Sequence, residues 1–463
     1  MAVTACPSTS ITSRAGIPLA LTAALLVTLA VCLTDQAHAT TTCDLYAAPT
    51  GSDSATGTVT QPFASVQHLA DTLTAGQIGC VRSGAYTQNV TITHAGSPGA
   101  PITITSYPGE RATLTGRLWV HQGADYVTVS AMNLNGRNAN NLPSPDVNAA
   151  HTTFTANDVT DEHTAICFDL GSDTTYGRAT NTLIQRNRIH DCGTLPAANH
   201  DHGIYVESST GAQILENVIY NNADRGIQLY PDAQQTTVEH NIIDSNGEDI
   251  IFSGDFGTAS SNNTVANNLI TNATIRADIE SWYPAANPVG QDNTVHNNCV
   301  WGGVTATIQT AEIGFTATDN NTTAANPQYA NPTTGDYRIN STSPCANLLT
   351  NTTTPAQPFT TTSTSAVAYT NASGASTVTS SASAGETTTT AISSGTTSSP
   401  TTESSGTSSR STAVSSGTTK TRRHHHHSSR LASASSKRSS VRHHRHRHHR
   451  ARHAATRKHS VRH

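Results

Sequence analysis

Lysine is absent from the first 419 residues of this 463-residue chain; the first is Lys420. Between residues 40 and 360 the only strong cations are 10 Arg, against 28 Asp plus Glu, a formal charge of 10 − 28 = −18. A region this acidic repels anionic polymers at long range unless bound cations or a local Arg patch reverse the field. No phosphate loop or dinucleotide fingerprint in a strand–helix setting occurs, which removes the nucleotide-binding classes that depend on one. No CxxC or Cys/His finger spacing is present, which argues against a structural zinc site. No apolar run long enough to span a membrane follows residue 39.

The two ends of the chain differ from its middle. Residues 1–39 read as a secretory signal: Arg14 supplies a positive start, residues 17–33 are apolar, and Ala37-His38-Ala39 is a small-x-small cleavage site before Thr40. Export leaves Cys43, Cys80, Cys167, Cys192, Cys299 and Cys345, an even count that suits disulfides. Pairing by sequence neighbours gives Cys43–Cys80, Cys167–Cys192 and Cys299–Cys345, one of 15 possible connectivities. Residues 351–421 are Thr, Ser, Ala and Gly with almost no large apolar side chain, a composition that cannot bury a core. Residues 422–463 are rich in Arg and His and read as a basic disordered tail that can hold an anionic cell-wall polymer. Without interleaved aromatics, the tail is not a specific nucleic-acid reader. The protein is expected to be monomeric, and secreted or held at the cell surface.

One short pattern recurs five times: apolar, two residues, Asn, one residue, apolar. The copies are Ile184-Asn187-Ile189, Ile214-Asn217-Ile219, Val238-Asn241-Ile243, Val265-Asn268-Ile270 and Val295-Asn298-Val300, with starts 30, 24, 27 and 30 residues apart. Repeats of this length are stacked units that cannot bury an apolar face alone. Identical Asn side chains at successive bends can hydrogen-bond up the stack and satisfy the turn backbone. The expected fold is all-β: a right-handed single-stranded parallel β-helix over residues 40–350. Residues 65–73 (SVQHLADTL), capped by Ser65, should form a helix that plugs the open end and hides its edge strand. Residues 326–343 read as a closing turn and strand.

A second column of inward residues is expected at Ile166, Ile204, Ile227, Ile250, Ile279 and Ile308. Residues beside them then form outward vertical files, because side chains alternate along a strand and rungs lie about 4.8 Å apart. One file would hold Asp169, Glu207, Tyr230 and Trp282, another Tyr205, Gln228 and Glu280. At 23-residue spacing Asp201 stacks on Asp224, and His202 on Arg225 and then Glu248. Gly203 beneath Gly226 is expected to leave open backbone beside these side chains.

The stretches YAAPTGSD (46–53), QPFAS (61–65), VRSGAY (81–86) and PITITSYPGE (101–110), with the repeats, resemble secreted β-helix proteins of the pectate-lyase-like superfamily. The resemblance spans roughly residues 44–349 and implies the fold and action on polysaccharide, by lyases, epimerases, hydrolases or non-catalytic surface proteins. The chain departs from several of these patterns. The Lys base of some lyases has no counterpart here. Tyr205-Val206-Glu207 stands where mannuronan epimerases carry Asp-Pro-His. The paired Asp of polygalacturonase-like hydrolases is not evident.

In the lyase reading, Arg225 neutralises a uronate or serves as base, His202 is the base, and Tyr230 or Tyr205 the donor. Asp169, Asp201, Glu207 and Asp224 are candidate ligands for Ca²⁺, a hard cation that takes oxygen. Tyr205, Gln228, Glu280, Trp282 and Asp249 are candidate sugar contacts, rings covering apolar sugar faces and polar groups taking hydroxyls. In the hydrolase reading, Asp169 and Glu207 on adjacent rungs sit at the retaining spacing of about 5 Å. The same His and Arg beside stacked Asp also suit a purely structural ladder.

Overall fold

The computed structural model describes residues 42–172, 176–309, 313–320 and 326–348. The expected signal segment, Ser/Thr-rich linker and basic tail lie outside the described residues. The chain coils as a parallel β-solenoid of three sheets. Sheet 1 runs through eleven strands, from Leu45–Ala47 to Thr316–Thr318. Sheet 2 rises from Val90–Ile92 to Ile279–Trp282, and sheet 3 from Gly84–Thr87 to Cys299–Trp301.

Each repeat is one corner of the coil. Its first apolar residue lies in sheet 1, where Phe154, Ile184, Ile214, Val238, Val265 and Val295 pair in register. Its last lies in sheet 3, where Val159, Ile189, Ile219, Ile243, Ile270 and Val300 pair. Both files are fully buried. The bend between them is a left-handed residue followed by the Asn: Arg186, Glu216, His240, Asn267 and Asn297 have φ between 55° and 58°. Non-glycine residues adopt that conformation at a cost of about 1 kcal/mol or more. The Asn ladder offsets it. Asn217 Nδ2 donates to Asn241 Oδ1 at 3.0 Å and to the Ile184 carbonyl at 2.8 Å, while Asn241 Oδ1 also accepts the Asn217 backbone N–H at 2.8 Å. The ladder runs from Asn157 to Asn320, a rung beyond the recognised repeats at each end.

The helix at Val66–Thr72 forms as expected, with Ser65 Oγ accepting the His68 N–H. It buries Val66, Leu69 and Ala70 over the base of the stack. Gln67 completes the seal: its amide accepts from the Thr91 N–H at 2.7 Å and donates to the Thr91 carbonyl at 2.9 Å, pairing the edge strand of sheet 2 as another strand would. All three disulfides join the expected partners, with Cα–Cα distances of 5.6, 5.6 and 5.9 Å.

Residues 326–343 do not close the top of the stack. Tyr329–Asn331 and Asp336–Ile339 form an antiparallel hairpin against the outer face of sheet 3. That face is apolar at Val218, Ile242, Leu269 and Cys299, and Tyr337 and Cys345 cover it in a separate buried cluster. The Cys299–Cys345 bridge, Tyr337 Oη donating to Asp244 Oδ2 at 3.2 Å and Arg188 Nη1 donating to the Gly335 carbonyl at 3.0 Å hold it there.

Because each ladder Asn serves three buried partners, Asn217→Ala is expected to lower unfolding stability by roughly 2–4 kcal/mol. Denaturant unfolding reads this; a loss below about 0.5 kcal/mol, the range of ordinary surface changes, would sink the ladder's role.

Candidate polysaccharide face on sheet 2

The expected register holds over the upper rungs. Ile204, Ile227, Ile250 and Ile279 pair in sequence, and Ile308 bridges Ile279. His202 pairs with Arg225, and Arg225 with Glu248. One rung down, the partner of Ile204 is Phe168, not Ile166. Phe168 fills the core edge-on to Phe154, with ring centroids 5.1 Å apart. Both 166 and 168 face the same side of a strand, so composition could not choose between them.

That two-residue shift rearranges the outward files. Trp119, Asp146, Asp169, Tyr205, Gln228, Ile251 and Glu280 now form one column. Asp169 thus sits beside Tyr205, and Glu207 lies two residues further along its strand, about 7 Å away in that direction. The pair is not stacked on adjacent rungs, which corrects the retaining spacing. Tyr230 lies opposite Glu207 at an irregularity in the pairing of the two strands, its ring stacked on Tyr205 with centroids 6.3 Å apart. Trp282 stands exposed at the upper edge, paired to Ser253.

The lower rungs hold residues that sequence reading missed. Arg117 forms an ion pair with Asp146 and lies 4.6 Å over the Trp119 ring. Trp119 Nε1 donates to Asn148 Oδ1 at 2.7 Å, and Tyr176 meets the Trp119 ring edge-on. The alternation Leu118-Trp119-Val120 marks Trp119 as outward, and that was the available signal. Burial, then the neighbouring Glu207 and Asp146 charges, raise the Asp169 carboxyl well above the usual aspartate range, and its Oδ1 is buried without a partner. Asp169 therefore holds its proton to higher pH than a solvated aspartate does. Burial also raises Tyr205, and pushes Tyr230 up to about 12, aided by Asp255, so both phenols stay protonated donors.

Several expected site residues are committed elsewhere. Arg225 is buried; its Nε donates to Glu248 Oε2 at 2.9 Å and its Nη2 to Asn199 Oδ1 at 2.6 Å, so it cannot neutralise a uronate. His202 is buried, and desolvation, then the Arg225 and His200 charges, hold its pKa well below normal, too low for an effective base at neutral pH. Asp249 is wholly enclosed and accepts from Asn246 Nδ2 at 2.8 Å, so it cannot touch a glycan. A Cβ on Gly203 would lie 2.8 Å from Asn222 Nδ2, so the glycine admits the Asn222–Asn246 ladder rather than a ligand. Glu280 is buried and pairs with Arg276 at 3.0 Å, while Gln228 keeps only a small exposed fraction.

The candidate Ca²⁺ ligands do not assemble. Asp224 staples a loop, accepting the N–H groups of Asn199, His200 and Asp201 at 2.6–2.8 Å. Asp201 accepts from Thr194, and Asp169 lies level with Tyr205, about 13 Å along the strand. Among the described residues no group of three or more His, Cys, Asp or Glu is placed to hold a metal ion.

Residues 45–272 match the family model described as Pel9A-like, right handed beta helix region. The chain is a β-helix protein of the pectate-lyase-like superfamily. It is 40% identical over 75 residues to pectate lyase PEL9 of Emericella nidulans, and 35% over 72 residues to the uncharacterized protein YwoF of Bacillus subtilis. Each stretch is 16% of this chain, and they span only 18% and 15% of those relatives. The crystal structure of pectate lyase Pel9A aligns over 61% of this chain and 78% of its own, at 14% identity and a TM-score of 0.42. The three disulfides of this β-helix protein point to an oxidising compartment. No described helix is long and apolar enough to cross a membrane.

Burial pushes Asp161 and Asp278 up to about 7 and Glu248 up to about 8. Burial opposes charging of His190, but the hydrogen bonds it donates to Asp158 and Asp191 raise it to about 9. Between pH 5 and 9 the folded chain therefore binds more protons than the unfolded one, so stability falls as pH rises. Thermal unfolding should show this fall, and Glu248→Gln should flatten it up to about pH 8. A slope unchanged by the substitution would contradict the assignment.

Proposed function

We propose that this protein binds and cleaves an extracellular polysaccharide along sheet 2, with Asp169 and Glu207 as its acid–base pair. The observation that carries the reading is the shielded Asp169 carboxyl, its Oδ1 unpartnered, within the field of Glu207 and beside Tyr205. A carboxyl that its surroundings raise, next to a second carboxyl, can take the acid role while its neighbour serves as base. Tyr205 and Tyr230 remain protonated donors toward a leaving oxygen, and Trp119, Tyr176 and Trp282 offer ring faces to sugars.

Family membership favours a lyase as the first form of the chemistry, and the relative named pectate lyase PEL9 supports an acidic glycan. Glu207 then takes the proton beside the uronate, and protonated Asp169 shares its hydrogen with the uronate carboxylate. Hydrolysis is the second form, favoured by the absence of any lysine before residue 420 and by the carboxyl pair itself. The basic tail, by the same reading, tethers the enzyme to anionic wall polymer. No cofactor is required by either scheme; a Ca²⁺ dependence would have to come from ions carried by the substrate.

A panel of acidic and neutral polysaccharides, followed by ultraviolet absorbance and product mass spectrometry, separates the forms. Unsaturated ends mark a lyase, and new reducing ends without that absorbance mark a hydrolase. Asp169→Asn and Glu207→Gln should each lower the rate by about 10²–10⁴-fold, the usual range for lost acid–base help. Full activity in both variants would refute the assignment. Binding without turnover across the panel would instead make this a carbohydrate-binding surface.

A further inference from the structure

A cavity of about 300 Å³ opens at the start of the sheet 2 strands, lined by Asn199, Asp224, Glu248, Ile275, Arg276 and the small residues around them. Its volume is at the lower end for small-molecule sites. Glu248 is 1% exposed; its Oε2 is held by Arg225, its Oε1 receives no N–H, and the Glu280 carboxyl beside it can share its proton. Two carboxyl groups sharing a proton at a cavity wall leave acceptor oxygens that a hydroxyl can satisfy.

The lining selects the occupant. An anion would meet Asp224, with Glu280 near it; a cation would meet Arg276, with Arg225 behind Glu248. Ala197, Ala198 and Ile275 give the cavity an apolar wall, while Asn199, Asp224, Glu248 and Arg276 give it both donors and acceptors. A neutral ring with hydroxyls on its rim and C–H bonds on its faces answers all of these demands. We infer that this cavity is a subsite for one neutral sugar unit, separate from the Asp169–Glu207 centre. The Arg276–Glu280 pair joins the two, since Glu280 belongs to the outward file of sheet 2. A neutral sugar seated here is a branch or end unit of the glycan; only this last point rests on the polysaccharide reading.

Glu248 stays largely protonated at neutral pH, because burial raises it to about 8, so its carboxyl can both donate to and accept from a hydroxyl. A glutamine offers the same two functions in nearly the same shape.

The test uses the full chain and nuclear magnetic resonance titration with the methyl glycosides of galactose, xylose and rhamnose, and with galacturonate as the charged control. At least one neutral glycoside should bind, with galacturonate about tenfold or more weaker. Ala198→Trp, at an exposed loop position, should fill the cavity and weaken binding about tenfold or more with thermal stability unchanged. Glu248→Gln should bind within a few-fold of the parent, and Asp169→Asn should bind as the parent does. Binding that survives Ala198→Trp, binding lost in Asp169→Asn, or no binding of any neutral glycoside would overturn the inference. If the glycoside binds while no polysaccharide is cleaved, the subsite stands and the catalytic proposal fails.

Discussion

The asparagine ladder is the constraint on which the rest depends. Each bend between sheets 1 and 3 needs a residue at positive φ, and each bend leaves backbone groups that the sheets do not reach. One Asn side chain per rung answers both needs, donating to a carbonyl one rung below and accepting the backbone N–H of the Asn beneath it. The ladder is indifferent to what happens between corners. Loops such as 191–201 can therefore lengthen without shifting the register of the sheets above and below them. Register in turn fixes which side chains share the outer face of sheet 2.

The fold was largely legible because ladder and core write the same period into the chain. Apolar, Asn and apolar positions must recur together, and Ile204, Ile227, Ile250 and Ile279 stand over one another as that period requires. Legibility failed where two inward candidates lay two residues apart. Ile166 and Phe168 satisfy the same alternation, and only packing against Phe154 distinguishes them. The hairpin failed to read as a cover because its partner surface is marked by single residues. Val218, Ile242, Leu269 and Cys299 each follow the ladder Asn, at a position the repeat leaves open, and they are apolar in four consecutive copies. An outward apolar file needs a lid, and the Tyr-rich segment after residue 326 supplies one.

The candidate site was legible in location but not in role. The sequence places charged and aromatic groups on sheet 2, and the structure keeps them there. It cannot say which of them point into the protein. Arg225 and His202 have the residue types of catalysis, yet both are buried, and Arg225 is bound to Glu248 and a loop. Asp169 and Tyr205 have more ordinary surroundings in sequence, yet they meet across one rung on the outer face. Burial and pairing, which separate a working group from a structural one, depend on loop positions that no local pattern encodes.

The proposed chemistry turns on Asp169 being held as an acid where the rungs set it beside Tyr205 and within the field of Glu207. The most direct measurement is a carbon-13 carboxyl titration of the folded protein, with the Asp169 resonance assigned by substitution. The account predicts that this carboxyl loses its proton well above the usual aspartate range. A midpoint near pH 4, ordinary for a solvated aspartate, would contradict it.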